Sequence, residues 1–361
     1  DRFLEHDMNA VILANYFHQH APFAIKALGA GKHVMSETAA CKTLAEGVAL
    51  ARAVERSGRI YMFAENYPYM VFHQEMRRLY HEGANGEVVY AEGEYNHPMD
   101  PETQNRISPG LRHWRNHIPS TYYCTHALAP WMYITDTMPK AVNALAMADP
   151  LHEQRLITKV ADPGSVILCR MDNGAVFRIF GLQVPGESLY YRLHGTRGMM
   201  ETPRLTWANM YAQQLVRVYH DEWDRREGER AEDVFTAEFP EHARAAKAAG
   251  HGGGDFWTNY HFAQAIRNGQ QPYLDVYRGL AMTVVGILAW KSALDNGAPY
   301  AVPDFRDEAA RAQHQDDDWS PWPEDRRPGQ PLPSIRGNLQ PSLAAVEYAR
   351  RIWSEMGYTG E

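Results

Sequence analysis

Short apolar runs alternate with helical patterns through the first part of the chain. Ala10–Ala14 is a continuous apolar run after a polar stretch, which is typical of a strand buried on both faces. Pro22–Leu28 then has apolar residues at helical spacing and stops at Gly29. A brief extended stretch follows at Val34–Met35. The pattern therefore predicts a strand, a helix and a second strand.

The same alternation is repeated once more. Leu44–Val54 places its apolar positions on one helical face, and Gly58 is suited to end that helix. Ile60–Ala64 is again a compact apolar strand. Three strands alternating with helices predict an α/β fold that begins with a Rossmann-type, doubly wound parallel sheet. Ligands of such sheets bind beyond the carboxyl ends of the strands.

Polar residues follow each of these predicted strands, and this predicts a site at their carboxyl ends. They are Asn15, His18 and His20 after the first strand, Ser36 and Glu37 after the second, and Glu65, Asn66 and Tyr69 after the third. The alternative is that they are ordinary polar loop residues. His18 and His20 could suggest a metal, but no HExxH, CxxC or clustered carboxylate accompanies them, so we predict no metal site.

The alternation of strand and helix patterns ends near Val88, after which strand patterns dominate. Val88–Tyr95, Ser165–Arg170 and part of Ala175–Gly181 have strand character, which predicts a mostly antiparallel sheet with helices on one face. We therefore predict three parts: the remainder of an NAD(P)-binding domain over residues 1–86, an α/β substrate and oligomerisation domain over residues 87–303, and an extended arm with a C-terminal helix over residues 304–361.

The most distinctive chemistry lies between those later strands. Tyr123 and His126 are three residues apart, so they lie on one helical face if a helix has already begun there. A phenol beside an imidazole can exchange a proton, and histidine titrates near neutral pH. The alternative interpretation of His126 is a core histidine with a satisfied hydrogen bond.

A second candidate segment begins at His251. Three consecutive glycines stand between His251 and Asp255, at the start of an apparent helix that runs to Ile266. Glycines allow the backbone to approach a ligand, and a helix start presents free amide groups. A flexible turn is the alternative, because neither GxGxxG nor Walker spacing is present.

Composition narrows the class of protein. The 361 residues are 45% hydrophobic and 22% charged, which suits a globular protein with room for two domains. A net charge of -8 argues against a nucleic-acid partner, and no apolar run is long enough to cross a membrane. Cys41, Cys124 and Cys169 are widely spaced, which favours a reducing compartment such as the cytoplasm. Asp1–Met8 has no signal pattern, but the start looks clipped, so export stays open.

Several segments, in order, resemble the Gfo/Idh/MocA oxidoreductases. Asn15–Val34 resembles a family stretch that ends in an Ala-Gly-Lys-His-Val turn, and Trp114-Arg115 resembles the family's Trp-Arg pair near the cofactor. The usual Glu-Lys-Pro is Glu37-Thr38-Ala39 here, so the lysine that contacts substrate and cofactor in many members is absent.

The branch that contains the NAD-dependent N-acetylgalactosaminidases is more similar, and it also lacks that lysine. Four motifs carry the resemblance: Glu37 with the alanines after it, Glu65-Asn66-x-x-Tyr69, Tyr123-x-Thr125-His126-x-Leu128-x-Pro130, and His251-Gly252-Gly253-x-Asp255-Phe256. The chain departs from the branch at Cys124, Ala127 and Ala129, and from Arg306 onward. The identity of the sugar is therefore not carried over.

The resemblance implies a nicotinamide-dependent enzyme that acts on a sugar or glycoside. It implies that the GxGxxG turn precedes Asp1 and that NAD is the cofactor, with NADP open. The implied reaction oxidises carbon 3 transiently, eliminates the glycosidic oxygen, adds water and reduces the carbonyl again. The alternatives are a simple sugar or inositol dehydrogenase with net NAD(P)H turnover, and a non-catalytic sugar-binding protein. A homodimer or homotetramer built across the second sheet is also implied.

The resemblance also implies roles for individual residues. Proton transfer is expected of His126 and Tyr123, with Tyr69 as a second base candidate. His251 and Asp255 are expected to contact sugar hydroxyls. The residues expected to line the nicotinamide and ribose are Asn15, His18, His20, Glu37, Asn66, Trp114 and Arg115.

Overall fold

A computed structural model describes residues 2–360 and contains a small parallel sheet near the amino terminus. Its strands are β1 (Ala10–Leu13), β2 (His33–Ser36) and β3 (Tyr61–Phe63), joined by α1 (His20–Gly29) and α2 (Leu44–Ser57). The strands are parallel, in the order β1-β2-β3. Gly58 ends α2 with a φ of 59°, which is the left-handed conformation expected of a glycine cap. The predicted alternation of strands and helices is confirmed.

The rest of the chain is built around a second, larger sheet. Its elements are α3 (Val71–His81), β4 (Val88–Asn96), α4 (Pro101–Arg106), α5 (Thr125–Thr135), β5 (Pro139–Met147), β6 (Gly164–Met171), β7 (Val176–Leu182), β8 (Ser188–Gly195), β9 (Gly198–Glu201), α6 (Trp207–Gln213), β10 (Leu215–Tyr219), β11 (Glu232–Thr236), α7 (Ala243–Ala248), α8 (Gly254–Asn268), α9 (Val276–Leu294), β12 (Tyr300–Ala301), α10 (Glu308–His314) and α11 (Leu343–Glu355). The nine strands have the order β11-β10-β9-β8-β4-β7-β6-β5-β12. Only the pair β4 and β7 is parallel among the described strands of this sheet, so the predicted mostly antiparallel sheet is confirmed.

Helix α9 joins the two sheets through one continuous core. It is buried along most of its length because it packs against α2 and β3 on one side and β5 on the other. Gly279 makes the approach to β3 possible, since a Cβ at that position would lie only 2.7 Å from the Cβ of Phe63. The carboxyl end of β3 is thereby held in a fixed position beside the second sheet.

The arm after residue 304 is anchored by buried side chains. The sequence predicts an extended surface arm, but Trp322 is 0% exposed and stacks on Phe17 with ring centroids 5.8 Å apart. The indole of Trp290 donates to the carbonyl of Leu332 at 3.1 Å, and the hydroxyl of Ser334 donates to Asp162 at 2.7 Å. The physical reason for the difference is the apolar surface of Trp322, which is stabilised by removal from water.

Two smaller predictions concern the cysteines and membrane spans. Cys41, Cys124 and Cys169 are all buried and make no disulfide, as expected. Among residues 2–360, no helix is both long and apolar enough to cross a lipid bilayer.

Candidate active site

The carboxyl ends of the three parallel strands meet at one edge of the small sheet. The amide of Glu37 donates to the carbonyl of Leu13 at 3.0 Å, and the amide of Ala64 donates to the carbonyl of Ser36 at 2.8 Å. The residues that follow the strands, including Asn15, Glu37 and Glu65, therefore lie along a common edge. This is where ligands of doubly wound sheets bind.

A carboxylate and an imidazole form the centre of the site. Glu65 follows β3 and is completely buried, and its Oε1 lies 2.6 Å from Nδ1 of His126, the second residue of α5. With Nδ1–H donating to the carboxylate, the lone pair of neutral His126 is on Nε2. Among the described residues, Nε2 has no hydrogen-bond partner, and the side chain is 11% exposed. His126 is therefore oriented by Glu65 with one nitrogen available.

Three tyrosine rings surround His126. Tyr67 stacks on the imidazole with centroids 4.2 Å apart, and Tyr95 and Tyr123 contact it edge-on at 4.5 and 5.0 Å. The hydroxyl of Tyr191 donates to the backbone carbonyl of His126 at 2.7 Å. These contacts hold the ring in one orientation and exclude water from most of its surface.

Tyr123 reaches His126 in a different way from the one expected. Helix α5 begins at Thr125, so Tyr123 precedes it and the two residues do not share a helical face. The turn before the helix nevertheless places their rings 5.0 Å apart. Burial raises the pKa of the Tyr123 phenol, although the charge of Arg115 and a hydrogen bond with Thr38 act in the opposite direction. The phenol is thus a proton donor at neutral pH.

His251 and Asp255 form a second pair, linked to the strand end through Asn66. Nδ1 of His251 lies 2.9 Å from Oδ2 of Asp255, and the amide of Asn66 donates to Oδ1 at 2.7 Å. The hydrogen bond with Asp255 raises the pKa of His251, and the same bond lowers the pKa of Asp255. The start of α8 lies close to Asn66, because a Cβ on Gly254 would be 2.4 Å from the Asn66 carbonyl oxygen.

Glu37 connects the two pairs electrostatically. Glu37 is exposed to solvent. The surrounding protein nevertheless removes enough water from its carboxylate to raise its pKa. The charge of Glu65 acts in the same direction, and His126 opposes it. The turn after Glu37 contains a cis peptide bond between Thr38 and Ala39.

Several buried polar atoms at this edge have no partner among the described residues. They include both side-chain atoms of Asn15, Nδ1 of His18, Oε2 of Glu65, Oδ1 of Asn66 and Nε1 of Trp114. Unpaired buried polar groups are costly, so their concentration at one edge is typical of a ligand site. Amide, imidazole and indole groups suit the carboxamide and ribose hydroxyls of a nicotinamide nucleotide, so these residues fit that cofactor.

The remaining predicted residues have different surroundings. Both ring nitrogens of His20 face backbone carbonyls, those of Ala39 at 2.9 Å and Asn15 at 3.1 Å, so this buried histidine ties two loops together. His18 pairs with Glu324 of the arm at 3.3 Å. The Arg115 guanidinium lies over the Trp114 ring, 4.5 Å from its centroid.

Tyr69 is not brought into the cluster around His126. Its buried ring packs against Tyr133 and His261, with centroids 5.4 and 4.7 Å away, and it borders a separate pocket. The short 3-10 helix of residues 67–69 directs Tyr67, and not Tyr69, toward His126.

Sequence analysis missed the contributions of Tyr95 and Lys159 to the site, and it assigned Glu65 no role. Glu65 was recognised as a polar residue after a strand, and its position there could have marked it as the partner of a histidine. Tyr95 closes the cluster from the end of β4, and Lys159 lies in an adjoining cavity. No local sequence signal distinguishes Tyr95 or Lys159, because their roles depend on contacts between distant segments.

Two domain families match this chain. The GFO/IDH/MocA C-terminal domain matches residues 73–201, and the glycosyl hydrolase 109 C-terminal domain matches residues 165–311. Together the two matches span residues 73–311 of this chain. The predicted resemblance to the Gfo/Idh/MocA oxidoreductases, and to their glycosidase branch, is confirmed.

Relatives and solved structures are similar to most of this chain. A glycosyl hydrolase family 109 protein of Saccharopolyspora erythraea is 26% identical over 83% of this chain and 68% of the relative. A levoglucosan dehydrogenase in complex with NADH and levoglucosan superposes with a TM-score of 0.70 at 22% identity, covering 84% of this chain and 83% of that one. An aldose-aldose oxidoreductase from Caulobacter crescentus, complexed with glycerol, has a TM-score of 0.65 at 20% identity, covering 83% of this chain and 81% of that one.

These similarities bear on two further predictions. The prediction of an enzyme is confirmed by relatives named as glycosyl hydrolases. The levoglucosan dehydrogenase that shares this fold holds NADH, the class of cofactor predicted from the sequence. Within residues 2–360, no group of three metal-ligating side chains is close enough to hold a metal ion.

Proposed function

We propose that this chain acts on a glycoside by redox-assisted cleavage. Carbon 3 of the sugar is oxidised transiently, and the proton on carbon 2 is removed as the bond between carbon 1 and the glycosidic oxygen breaks. Water then adds across the double bond between carbons 1 and 2, and the carbonyl is reduced again. The observation that carries the proposal is the Glu65–His126 pair beside Tyr123, at the strand ends where a nicotinamide fits. The overall reaction converts a glycoside and water into a free sugar and an alcohol, without net oxidation.

His126 is the proposed base. Its Nε2 accepts the proton of the sugar hydroxyl that becomes a carbonyl, and Glu65 stabilises the imidazolium that forms. Glu65 is therefore a positioning and charge-compensating residue. The stacked ring of Tyr67 keeps the imidazole from rotating away from this geometry.

Tyr123 is the proposed acid. Its raised pKa keeps the phenol protonated near neutral pH, so it can give a proton to the departing glycosidic oxygen. Thr38 lies near its hydroxyl, where many relatives of the Gfo/Idh/MocA type have lysine. The role of Tyr69 as a second base remains a prediction, and no contact between Tyr69 and the cluster around His126 supports it.

The cofactor is proposed to be held at the edge of the small sheet. Asn15, His18, Asn66 and Trp114 have unpaired polar atoms there, His20 and Glu37 shape the same edge, and Arg115 borders it. Bound NAD supplies a hydride acceptor that returns the hydride at the end of the cycle. NADP stays open.

His251 and Asp255 are proposed to hold sugar hydroxyls. Both are partly exposed, at 47% and 40% of their side-chain surface, and they lie beside the Tyr67 ring that packs on His126. A protonated imidazole and a carboxylate together can donate to one hydroxyl and accept from its neighbour. This would fix the sugar relative to the base.

The test is an assay of purified protein with aryl glycosides of both anomers, together with an assay of nicotinamide released on denaturation. Aglycone release, retained NAD and no accumulation of NADH support the proposal. Accumulation of NADH with free sugars would instead identify a simple sugar or inositol dehydrogenase. Absence of both cofactor and turnover would favour the non-catalytic sugar-binding alternative.

A homodimer or homotetramer formed across the large sheet is also proposed. Leu145 on β5 and Leu168 on β6 are 63% and 38% exposed, although both belong to strands of that sheet. A second copy would remove them from water. Light scattering of the purified protein would test this, and a monomer would contradict it.

A cytoplasmic location is proposed from the reduced, buried cysteines.

A further inference from the structure

A cavity adjoins the cluster around His126. It has a volume of about 230 Å³, and Tyr95 and Tyr123 line it while also contacting the His126 ring. A substituent of the sugar on which His126 and Tyr123 act can therefore extend into this cavity. Its lining should therefore select among sugar substituents.

The charge of the cavity lining is of one sign. Arg115 and Lys159 both line it, and no Asp or Glu is among its lining residues within the described part of the chain. This differs from the large sheet, where arginines pair with carboxylates, as Arg178 does with the buried Glu92 and Glu94. The cavity therefore has a concentration of positive charge without a protein counter-ion.

Lys159 is the less expected of the two cations. It is 4% exposed, and its Nζ donates to Oε1 of Gln183 at 2.6 Å, while Gln183 donates in turn to Gln104 at 2.9 Å. Asp162, the carboxylate whose charge acts on Lys159, accepts hydrogen bonds from the arm at Ser334 and Ile335. Burial and the charge of Arg115 lower the pKa of Lys159 to about 7. A buried amine with neutral partners is costly to the fold, so a ligand that compensates it would be strongly favoured.

Arg115 is equally free to bind an anion. Its guanidinium rests on the Trp114 ring and, among the described residues, is within ion-pair distance of no carboxylate. Its planar set of donors matches the oxygens of a carboxylate or sulfate. Two cations of different shape therefore converge on one small space beside the reacting sugar.

We propose that this cavity binds an oxyanion carried by the sugar, so that the substrate is a glycoside of an acidic sugar bearing a carboxylate or a sulfate. This inference rests on the proposed function and specifies its substrate class. Gln104 and Gln183 orient the Lys159 amine, and Arg115 provides the second contact to the anion.

The experiment compares matched aryl glycosides that differ in one group: a glucuronide, a 6-sulfoglucoside and the neutral glucoside, each as both anomers. A charge-assisted hydrogen bond contributes about 1.5 to 3 kcal/mol, so kcat/KM should favour one acidic substrate at least tenfold. The glucuronide and the sulfate distinguish the two sources of the anion. Equal or better use of the neutral glycoside would overturn the proposal while leaving redox-assisted cleavage intact.

A binding measurement separates this proposal from the cleavage mechanism. Calorimetric titration with free glucuronate, glucose 6-sulfate and glucose needs no turnover, and at least one anion should bind ten times more tightly than glucose. Lys159→Met should abolish that difference, and Lys159→Arg should keep part of it. The matched control is Lys140→Met, because Lys140 is an exposed lysine on β5 and outside the cavity. A preference that persists in Lys159→Met would reject the role given to Lys159.

Discussion

The buried carboxylate of Glu65 lies 2.6 Å from Nδ1 of His126, although 61 residues separate them in sequence. Glu65 follows β3 of the small parallel sheet, and His126 is in the first turn of α5, which packs on the large sheet. The proton-transfer chemistry proposed for this chain therefore depends on both parts of the molecule being held together.

Glu65→Gln should reduce kcat/KM by about 10² or more, since the imidazolium loses a neighbouring negative charge. The loss should fall on kcat, with KM little changed, and initial rates over a range of substrate concentrations measure both. Glu222→Gln, at an exposed position, is the control. An unchanged kcat in Glu65→Gln would leave only a structural role for Glu65.

Asp255→Asn should lower the pKa of His251 and raise KM about tenfold. The hydrogen bond to Asp255 raises that pKa, so the stabilisation it gives to the fold is complete below the ordinary histidine pKa and is lost as the pH rises through the folded-state pKa. Titration of the His251 ring by NMR and steady-state kinetics measure the two effects. Asp233→Asn, on exposed β11, should change neither. A His251 titration that is unmoved in Asp255→Asn would contradict the pairing.

Trp322→Ala should lower the free energy of unfolding by about 3 kcal/mol, because a fully buried indole is replaced by a cavity. Denaturant unfolding measures this. Trp223→Ala is a matched control, since Trp223 is 85% exposed, and it should have an effect close to zero. Similar values for the two variants would mean that the arm contributes no packing energy.

Lys159→Met should stabilise the free protein by on the order of 2 kcal/mol at pH 7. The folded pKa of about 7 is below the ordinary value of 10.5, so the unfolded chain binds one more proton between these limits. As the pH rises between these two values, the contribution of Lys159 should increase the free energy of unfolding of the native protein. This pH-dependent increase should be absent from Lys159→Met.

The control for that comparison is Lys140→Met, which removes an exposed lysine. Thermal unfolding of all three proteins at pH 6, 7.5 and 9 would provide the data. The charges that face Lys159 are Arg115 and Asp162, with His97, Tyr95 and Tyr123 also in the cavity lining. A Lys159→Met protein less stable than the native one at pH 6 would contradict the argument.

The strands and helices of the first part were predictable because each has a strong local pattern. The apolar run at Ala10–Leu13 and the glycine cap at Gly58 need no information from distant residues. The anchoring of the arm was not predictable, since prolines and acidic residues dominate its composition while one tryptophan determines its packing. A single buried ring outweighs many polar neighbours, and its partner Phe17 is far away in sequence.

The site was predictable to a similar degree. Position after a strand identified Asn15, Glu37 and Asn66, and the motif around His126 identified the imidazole. Tyr123 and His126 would share a helical face only if the helix had begun at Tyr123, and the structure begins it between them, at Thr125. Lys159 could not be found from sequence, since its importance arises from its burial beside Arg115 in a cavity formed by distant segments.

The contact between Gly254 and the Asn66 carbonyl joins the two halves of the site through backbone atoms. The segment from His251 to Asp255, proposed to bind the sugar, thereby packs directly against the chain that follows β3 and carries Glu65. Neither can shift by a fraction of an ångström without moving the other. Attempts to retune substrate preference through the His251 loop would disturb catalysis as well, whereas the wall formed by Gln104, Lys159 and Gln183 offers a place where selectivity can evolve separately.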